Sequence, residues 1–269
     1  QLIGQYCHKK NISKGLLGLI LASYVSKKLY TKIQINKNVQ KIKKKSKQVD
    51  ERKANLEQRL KIGGVLITPE RKLILKKGIK ELLKDLKNGS LKPIKVLEAY
   101  QSKALSVDKE INAVCDFILE AIDWARELED IPKDKRGALY GLPISVKVEK
   151  TRYLSIDLHP PHQECFYVSG YDSTIGLAQF IDQPLGQDCS FVAGVKELHG
   201  LPFCLTNVPQ TMLSWSCSNP VYGNTANPHD KTRSLIHLYL PLPIMPFLLF
   251  SINCIYPGLL EAPQAARLL

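Results

Sequence analysis

Apolar and polar positions divide the chain into a helical front and a middle that alternates strand and helix. Residues 36–61 are polar and lysine-rich and predict an exposed linker helix, which Gly63-Gly64 breaks. From Leu73 to Leu86 apolar residues recur at 74, 75, 79, 82, 83 and 86, the spacing of an amphipathic helix. Asn88-Gly89 ends that helix. Pro93 stands near the start of a second, with Ile94, Val96, Leu97 and Tyr100 apolar, and a third is predicted over Val114–Leu128 through Cys115, Ile118, Leu119 and Ile122. Then the pattern changes. Leu142–Val146 is a short apolar run behind a Gly-rich turn, Phe191–Leu198 is helical in period, and Leu201–Thr206 reads as a buried strand. Strand, helix and strand at this spacing predict an α/β fold: N-terminal helices followed by the first strands of a mixed, mainly parallel sheet.

Two apolar stretches stand outside this plan. Gly15–Ser26 holds twelve uncharged residues between Lys14 and Lys27. As a helix it rises about 18 Å, at about 1.5 Å per residue, against a bilayer core of about 30 Å. It is too short to span alone, although Lys14, Lys27 and Lys28 can extend its reach by snorkelling. Leu235–Leu260 is also uncharged, but Pro241, Pro243, Pro246 and Pro257 interrupt it.

Charge sharpens the picture of the front. Residues 1–100 hold 25 Lys+Arg against 7 Asp+Glu, so the whole excess of +13 lies in the first hundred residues. An acidic partner is implied. Few aromatics stand ready to stack on bases and no zinc-finger or related motif is present, which argues against nucleic acid. The block Lys41, Lys43, Lys44, Lys45 and Lys47 follows the apolar run and fits the cytoplasmic side of a membrane by the positive-inside rule. The plainer reading is a short buried helix followed by a solvated one. The seven cysteines are scattered without Cys-x-x-Cys spacing, so neither a disulfide framework nor a zinc site is expected.

The most informative residues lie between 137 and 234. They read Tyr-Gly-Leu-Pro-Ile-Ser-Val-Lys over 140–147, Gly-Leu-Pro-Phe-Cys-Leu-Thr-Asn-Val-Pro-Gln-Thr-Met over 200–212, and Cys-Ser-Asn-Pro-Val-Tyr-Gly-Asn from Cys217. These runs resemble the amidase signature family, most closely its fatty-acid amide hydrolase branch, over residues 70–147 and 164–234. The resemblance implies an α/β amidase core, here in part. It also implies hydrolysis of long-chain fatty-acid amides of the N-acylethanolamine type, at the cytoplasmic face of endomembranes.

The family uses a Ser–Ser–Lys triad, in which a neutral lysine activates a bridging serine and so the nucleophilic serine. The resemblance assigns the lysine to Lys147, and it puts Met212 and Leu213 near the acyl-binding channel. Position alone favours an ordinary snorkelling lysine at a strand end; the flanking match reverses that reading. Asn207, Ser218 and Asn219 are expected to shape loops around the site by local hydrogen bonds.

Two departures count against activity. Removing Val148–Gln163 restores the family's Ser-Val-Lys-Glu-Cys run, so those sixteen residues read as an insertion. After Ser234 the family continues Pro-Gly-Gly-Ser-Ser-Gly-Gly, whereas this chain continues Leu235-Ile236-His237. The bridging serine and the nucleophile belong to runs absent from the 269 residues. The expectation is an inert chain, or a non-catalytic, membrane-associated form that pairs with a full-length enzyme. A metal at His159 and His162, and a triad built on Ser234 and His237, are disfavoured.

The predicted organisation is a membrane-attachment segment at 1–35, a basic linker helix at 36–69, a partial amidase domain at 70–234 and a non-family apolar tail at 235–269. No cofactor or metal is expected. The partners are a fatty-acid amide substrate and a membrane surface, with a homo-oligomer allowed and nucleic acid not expected.

Overall fold

The computed structural model describes residues 2–147, 166–212 and 214–233, with side chains from residue 19 onward. The expected insertion, Leu213, His159, His162, Ser234, His237 and the apolar tail lie outside the described residues. The chain divides into two compact units, residues 1–44 and 45–269.

The first element, α1 (Leu2–Leu60), is one unbroken helix. It therefore joins the predicted membrane-attachment segment and the predicted linker without a seam. Gly63 (φ 56°) and Gly64 (φ 80°) follow in the left-handed region and turn the chain, as their spacing predicted. The expectation of an exposed linker helix fails from Lys45 onward. Val49, Leu56 and Leu60 are buried, and together with Lys45 they recur at the period of one helix face. Charged residues obscured that stripe in the sequence.

The single helix predicted over 73–86 is two helices, α2 (Pro69–Lys76) and α3 (Ile79–Asn88), parted at Gly78. Thr68 caps α2 by accepting from the Arg71 backbone N–H at 3.3 Å. Gly89 closes α3 in the left-handed conformation at φ 87°. Then α4 (Pro93–Ile111) begins on its proline, where the missing N–H costs nothing, and ends at Asn112 (φ 54°). The third predicted helix is corrected as well. Its first part is strand β1 (Val114–Phe117), and only Ala121–Glu129 is helical, as α5. All four β1 residues are buried, and a short apolar run of this kind has the same pattern in strand and in helix.

The strands β2 (Pro143–Lys147) and β3 (Leu201–Thr206) stand where the apolar runs predicted them, with α6 (Ser190–Glu197) preceding β3. The sheet order is β1-β3-β2. Strand β2 runs parallel to β3, and β1 runs antiparallel to it, so the sheet is mixed. The turns before the parallel strands are stitched together: Leu139 N–H donates to Leu198 C=O, Gly141 N–H to His199 C=O, and Gly137 N–H to His199 Nδ1. These bonds set Pro143 opposite Leu201; the register then shifts by one residue between Ile144 and Ser145, which puts Lys147 opposite Thr206. One core gathers Leu56 and Leu60 of α1, Leu82 and Leu86 of α3, Leu97 and Tyr100 of α4, and Phe203 and Leu205 of β3.

Candidate active site

Lys147 is the last residue of β2, and Thr206 opposite it is the last of β3. Because these strands are parallel, both chains leave the sheet at the same carboxyl end, the end where α/β sheets place their ligand sites. Val146 is buried and Lys147 half-buried, so the lysine stem packs at the margin of the core.

The loop that leaves β3 is held by its own side chains. Asn207 is buried; its Nδ2 donates to Thr225 Oγ1 at 2.9 Å and to Gly223 C=O at 3.3 Å. Its Oδ1 accepts from Val208 N–H at 3.0 Å, from Asn219 Nδ2 at 2.7 Å and from the Cys115 thiol at 3.6 Å. Asn219 also donates to Val208 C=O, and its Oδ1 accepts from the N–H groups of Val221 and Tyr222 at 3.0 and 2.8 Å. Thr225 donates to Asn112 C=O at 2.7 Å, and Asn112 Nδ2 donates to Tyr222 C=O at 2.7 Å. Buried amides need such partners, and here the satisfied pair Asn207–Asn219 closes a loop from residue 207 to residue 225. A two-residue hairpin, β4 (Ser218–Asn219) with β5 (Gly223–Asn224), completes it. The predicted role of Asn207 and Asn219 in shaping this loop is what the structure shows; Ser218 contributes strand pairing.

Met212 lies on this loop, half-buried, in a 3-10 turn at Gln210–Met212. Thr211 and Met212 have φ of 54° and 60°, and Ile175, whose C=O accepts from the Thr211 N–H, has φ 45°. Left-handed backbone is strained for β-branched residues and persists where the surroundings enforce it. Gly176 next to Ile175 has φ 74°, and a Cβ there would meet the Cβ of Asn219 at 2.5 Å, so only glycine fits against the amide pair.

Cys217 is buried at the base of the loop. Burial pushes its thiol pKa up, while a hydrogen bond with Thr225 and the positive charge of Lys147 pull it down. Sequence reasoning passed over Cys217, Thr225 and Asn112. Cys-Ser-Asn-Pro marked a turn, but nothing local tells that Thr225 and Asn112 meet across 113 positions. Among the described residues no group of His, Cys, Asp and Glu could hold a metal ion.

The amidase family matches residues 95–235, more than half of the chain, and that span holds β1 to β5, Lys147 and the clasped loop. The chain belongs to the amidase family. Within curated proteins it is similar to fatty acid amide hydrolase 1 of Caenorhabditis elegans, 36% identical over 188 residues, 69% of this chain and 30% of that protein. Vitamin D3 hydroxylase-associated protein of Gallus gallus is 38% identical over 154 residues, 56% of this chain and 29% of that one. Fatty-acid amide hydrolase 1 of Sus scrofa is 34% identical over 162 residues, 60% and 24% of the two chains. The chain thus spans less than a third of the length of these relatives. The fold agrees with a solved fatty acid amide hydrolase at a TM-score of 0.58 and 19% identity, over 72% of this chain and 35% of that one. It also agrees with an amidase family protein from Bacillus anthracis at 0.51 and 18%, over 67% and 35%. At these identities the likeness is one of fold, and it is an amidase fold in part.

Proposed function

We propose that this amidase chain carries the lysine-bearing part of a hydrolase for long-chain fatty-acid amides, with Lys147 as the base and Met212 and Leu213 on the acyl path. One combination carries the reading. Two of the similar proteins are named fatty acid amide hydrolases, and Lys147 stands at the carboxyl end of the parallel strands, where the clasped loop also emerges. In this scheme Lys147, neutral, takes a proton from a bridging serine, which in turn takes the proton of the attacking serine as it adds to the amide carbonyl. The same chain returns the proton to the leaving amine.

Neither serine-bearing run occurs in residues 1–269, and Ser234 is followed by Leu235 rather than by a glycine-rich loop. The 269-residue polypeptide by itself is therefore proposed to be inert. The second reading is a non-catalytic form that pairs with a full-length relative. It is favoured by β2, which lies at one edge of the described sheet, since an edge strand can accept another chain. Among the described residues no helix is long and apolar enough to cross a membrane. Attachment through the apolar run at 15–26, on the cytoplasmic face of endomembranes, is proposed as the route to a lipid substrate.

The test of the lysine's role is a completed protein. Residues 1–147 and 164–234 are continued with the glycine- and serine-rich loop and later residues of the C. elegans relative. Amide hydrolysis is expected, and Lys147→Ala should lower kcat by about 10²- to 10⁴-fold, the usual weight of a positioned general base. An active protein indifferent to Lys147→Ala would refute the assignment.

A further inference from the structure

We infer that residues 19–43 of α1 form a docking surface for an anionic lipid bilayer, with the lysines of this stretch holding acidic headgroups; this rests on the reading that the chain works at a membrane. Every residue from Leu19 to Ile33 is exposed. Leu19 is 70% and Leu21 64% exposed, and Ile20, Val25 and Leu29 all exceed 50%. These side chains point to all sides of the helix rather than along one stripe, because positions 19, 20, 21 and 25 are separated by about 100° per residue. A coiled coil with a second copy needs a single apolar seam repeating every seven residues; within residues 19–33 no Leu, Ile, Val or Tyr has another of these seven positions on, and the series Ile35, Ile42, Val49 and Leu56 begins only beyond that stretch. A medium that surrounds the helix satisfies it, and hydrocarbon is such a medium.

The charge pattern selects the kind of bilayer. The first 49 residues contain twelve lysines and no aspartate or glutamate. No ion pair within residues 1–44 can neutralise this segment, and Lys27, Lys28, Lys32 and Lys37 are all exposed. From Lys27 to Lys32 the helix advances about 7.5 Å, close to the depth of one headgroup layer, since headgroups add about 10–15 Å in total to the hydrocarbon core. Tyr24 and Tyr30, exposed on either side of the first lysine pair, are amphipathic rings suited to that boundary. Nucleic acid offers the same phosphate charge, but it leaves exposed leucine and isoleucine in water.

The experiment uses the full 269-residue chain in flotation with vesicles of phosphatidylcholine alone and of phosphatidylcholine containing about a third phosphatidylserine, at low and high salt. Binding to the anionic vesicles is expected, weakening with salt. Replacing Lys27, Lys28, Lys32 and Lys37 together by glutamine should weaken it on the order of several hundred-fold, and replacing them by arginine should preserve it. Equal binding to both vesicle types, or a glutamine variant that binds as well as the parent, would overturn the headgroup inference and leave membrane attachment standing. Binding to neither would overturn both. Tighter binding to duplex nucleic acid than to anionic vesicles would replace lipid by nucleic acid as the partner.

Discussion

Helix α1 is one element with two fates. Residues 19–33 carry leucine, isoleucine and tyrosine on every side, and all are exposed. Residues 45–60 are no less charged, yet Lys45 is only 5% exposed and Leu56 is fully buried. The difference lies in what the sequence elsewhere supplies. Lys45 Nζ donates to Asp172 Oδ2 at 2.8 Å and stands 3.7 Å from Asp116, Arg52 reaches Asp116 at 2.6 Å, and Lys53 donates to Asp108 at 2.6 Å and to Val114 C=O. Arg71, itself buried, donates to Leu60 C=O and closes the end of the helix. Lysines therefore do not define an exposed helix. Buried acids at the right period convert a basic helix into a packed one.

The largest effect that would sharpen this contrast is expected in the packed half. Leu56→Ala should cost about 2–5 kcal/mol in chemical denaturation, through lost burial and the cavity left behind. Leu21→Ala in the exposed half should change stability by no more than about 0.5 kcal/mol. Equal costs at the two positions would break the comparison.

Next comes Asp116. Removing it as Asp116→Ala leaves Lys45, almost fully buried, with Asp172 alone and takes the carboxylate from Arg52, for a loss of about 3 kcal/mol. Asp116→Asn should cost less, because the amide oxygen still accepts. A null effect of Asp116→Ala on the denaturation midpoint would mean that the ion network contributes nothing.

A smaller effect should appear with pH. Burial pushes the Asp116 carboxyl up from its ordinary value, and Arg52 and Lys45 only partly oppose this. The unfolded chain therefore gives up this proton at lower pH than the folded one. The contribution of Asp116 is full below the unfolded carboxyl's pKa and is lost as the pH rises through the raised folded value. Denaturation curves from about pH 3 upward should show Asp116→Asn losing less stability across that window than the parent. The opposite slope would mean that the cations win over burial.

At the site, Asn219→Ala removes one half of the amide pair and should cost about 1–3 kcal/mol, the penalty for leaving Asn207 Oδ1 and the Val208 carbonyl short of a donor. Faster amide exchange confined to residues 207–225 would locate the effect. Exchange unchanged in that loop would mean that its shape is held by other contacts.

Much of the fold was legible in the sequence, for physical reasons. Strands β2 and β3 were readable because parallel, buried strands are continuous apolar runs, and Pro93 and Gly89 punctuate helices by their backbone limits. The error at 114–117 came from a run too short for period to decide, and the split at Gly78 from an apolar spacing that carried across it. Lys147 and Met212 were singled out by likeness of the surrounding residues, not by chemistry visible in the sequence. The clasp of Asn112, Asn207, Asn219 and Thr225, and the pairing of Lys45, Arg52 and Lys53 with distant aspartates, depend on contacts between residues 12 to 127 positions apart. No local pattern announces these.

The most direct measurement of the account is turnover of a fluorogenic long-chain fatty-acid amide by the purified 269-residue chain, beside its Lys147→Ala variant. The account predicts that both release product no faster than buffer, since the lysine is present without the serines it would serve. Release by the parent chain that disappears in Lys147→Ala would contradict it, and would require a nucleophile among residues that the family does not use.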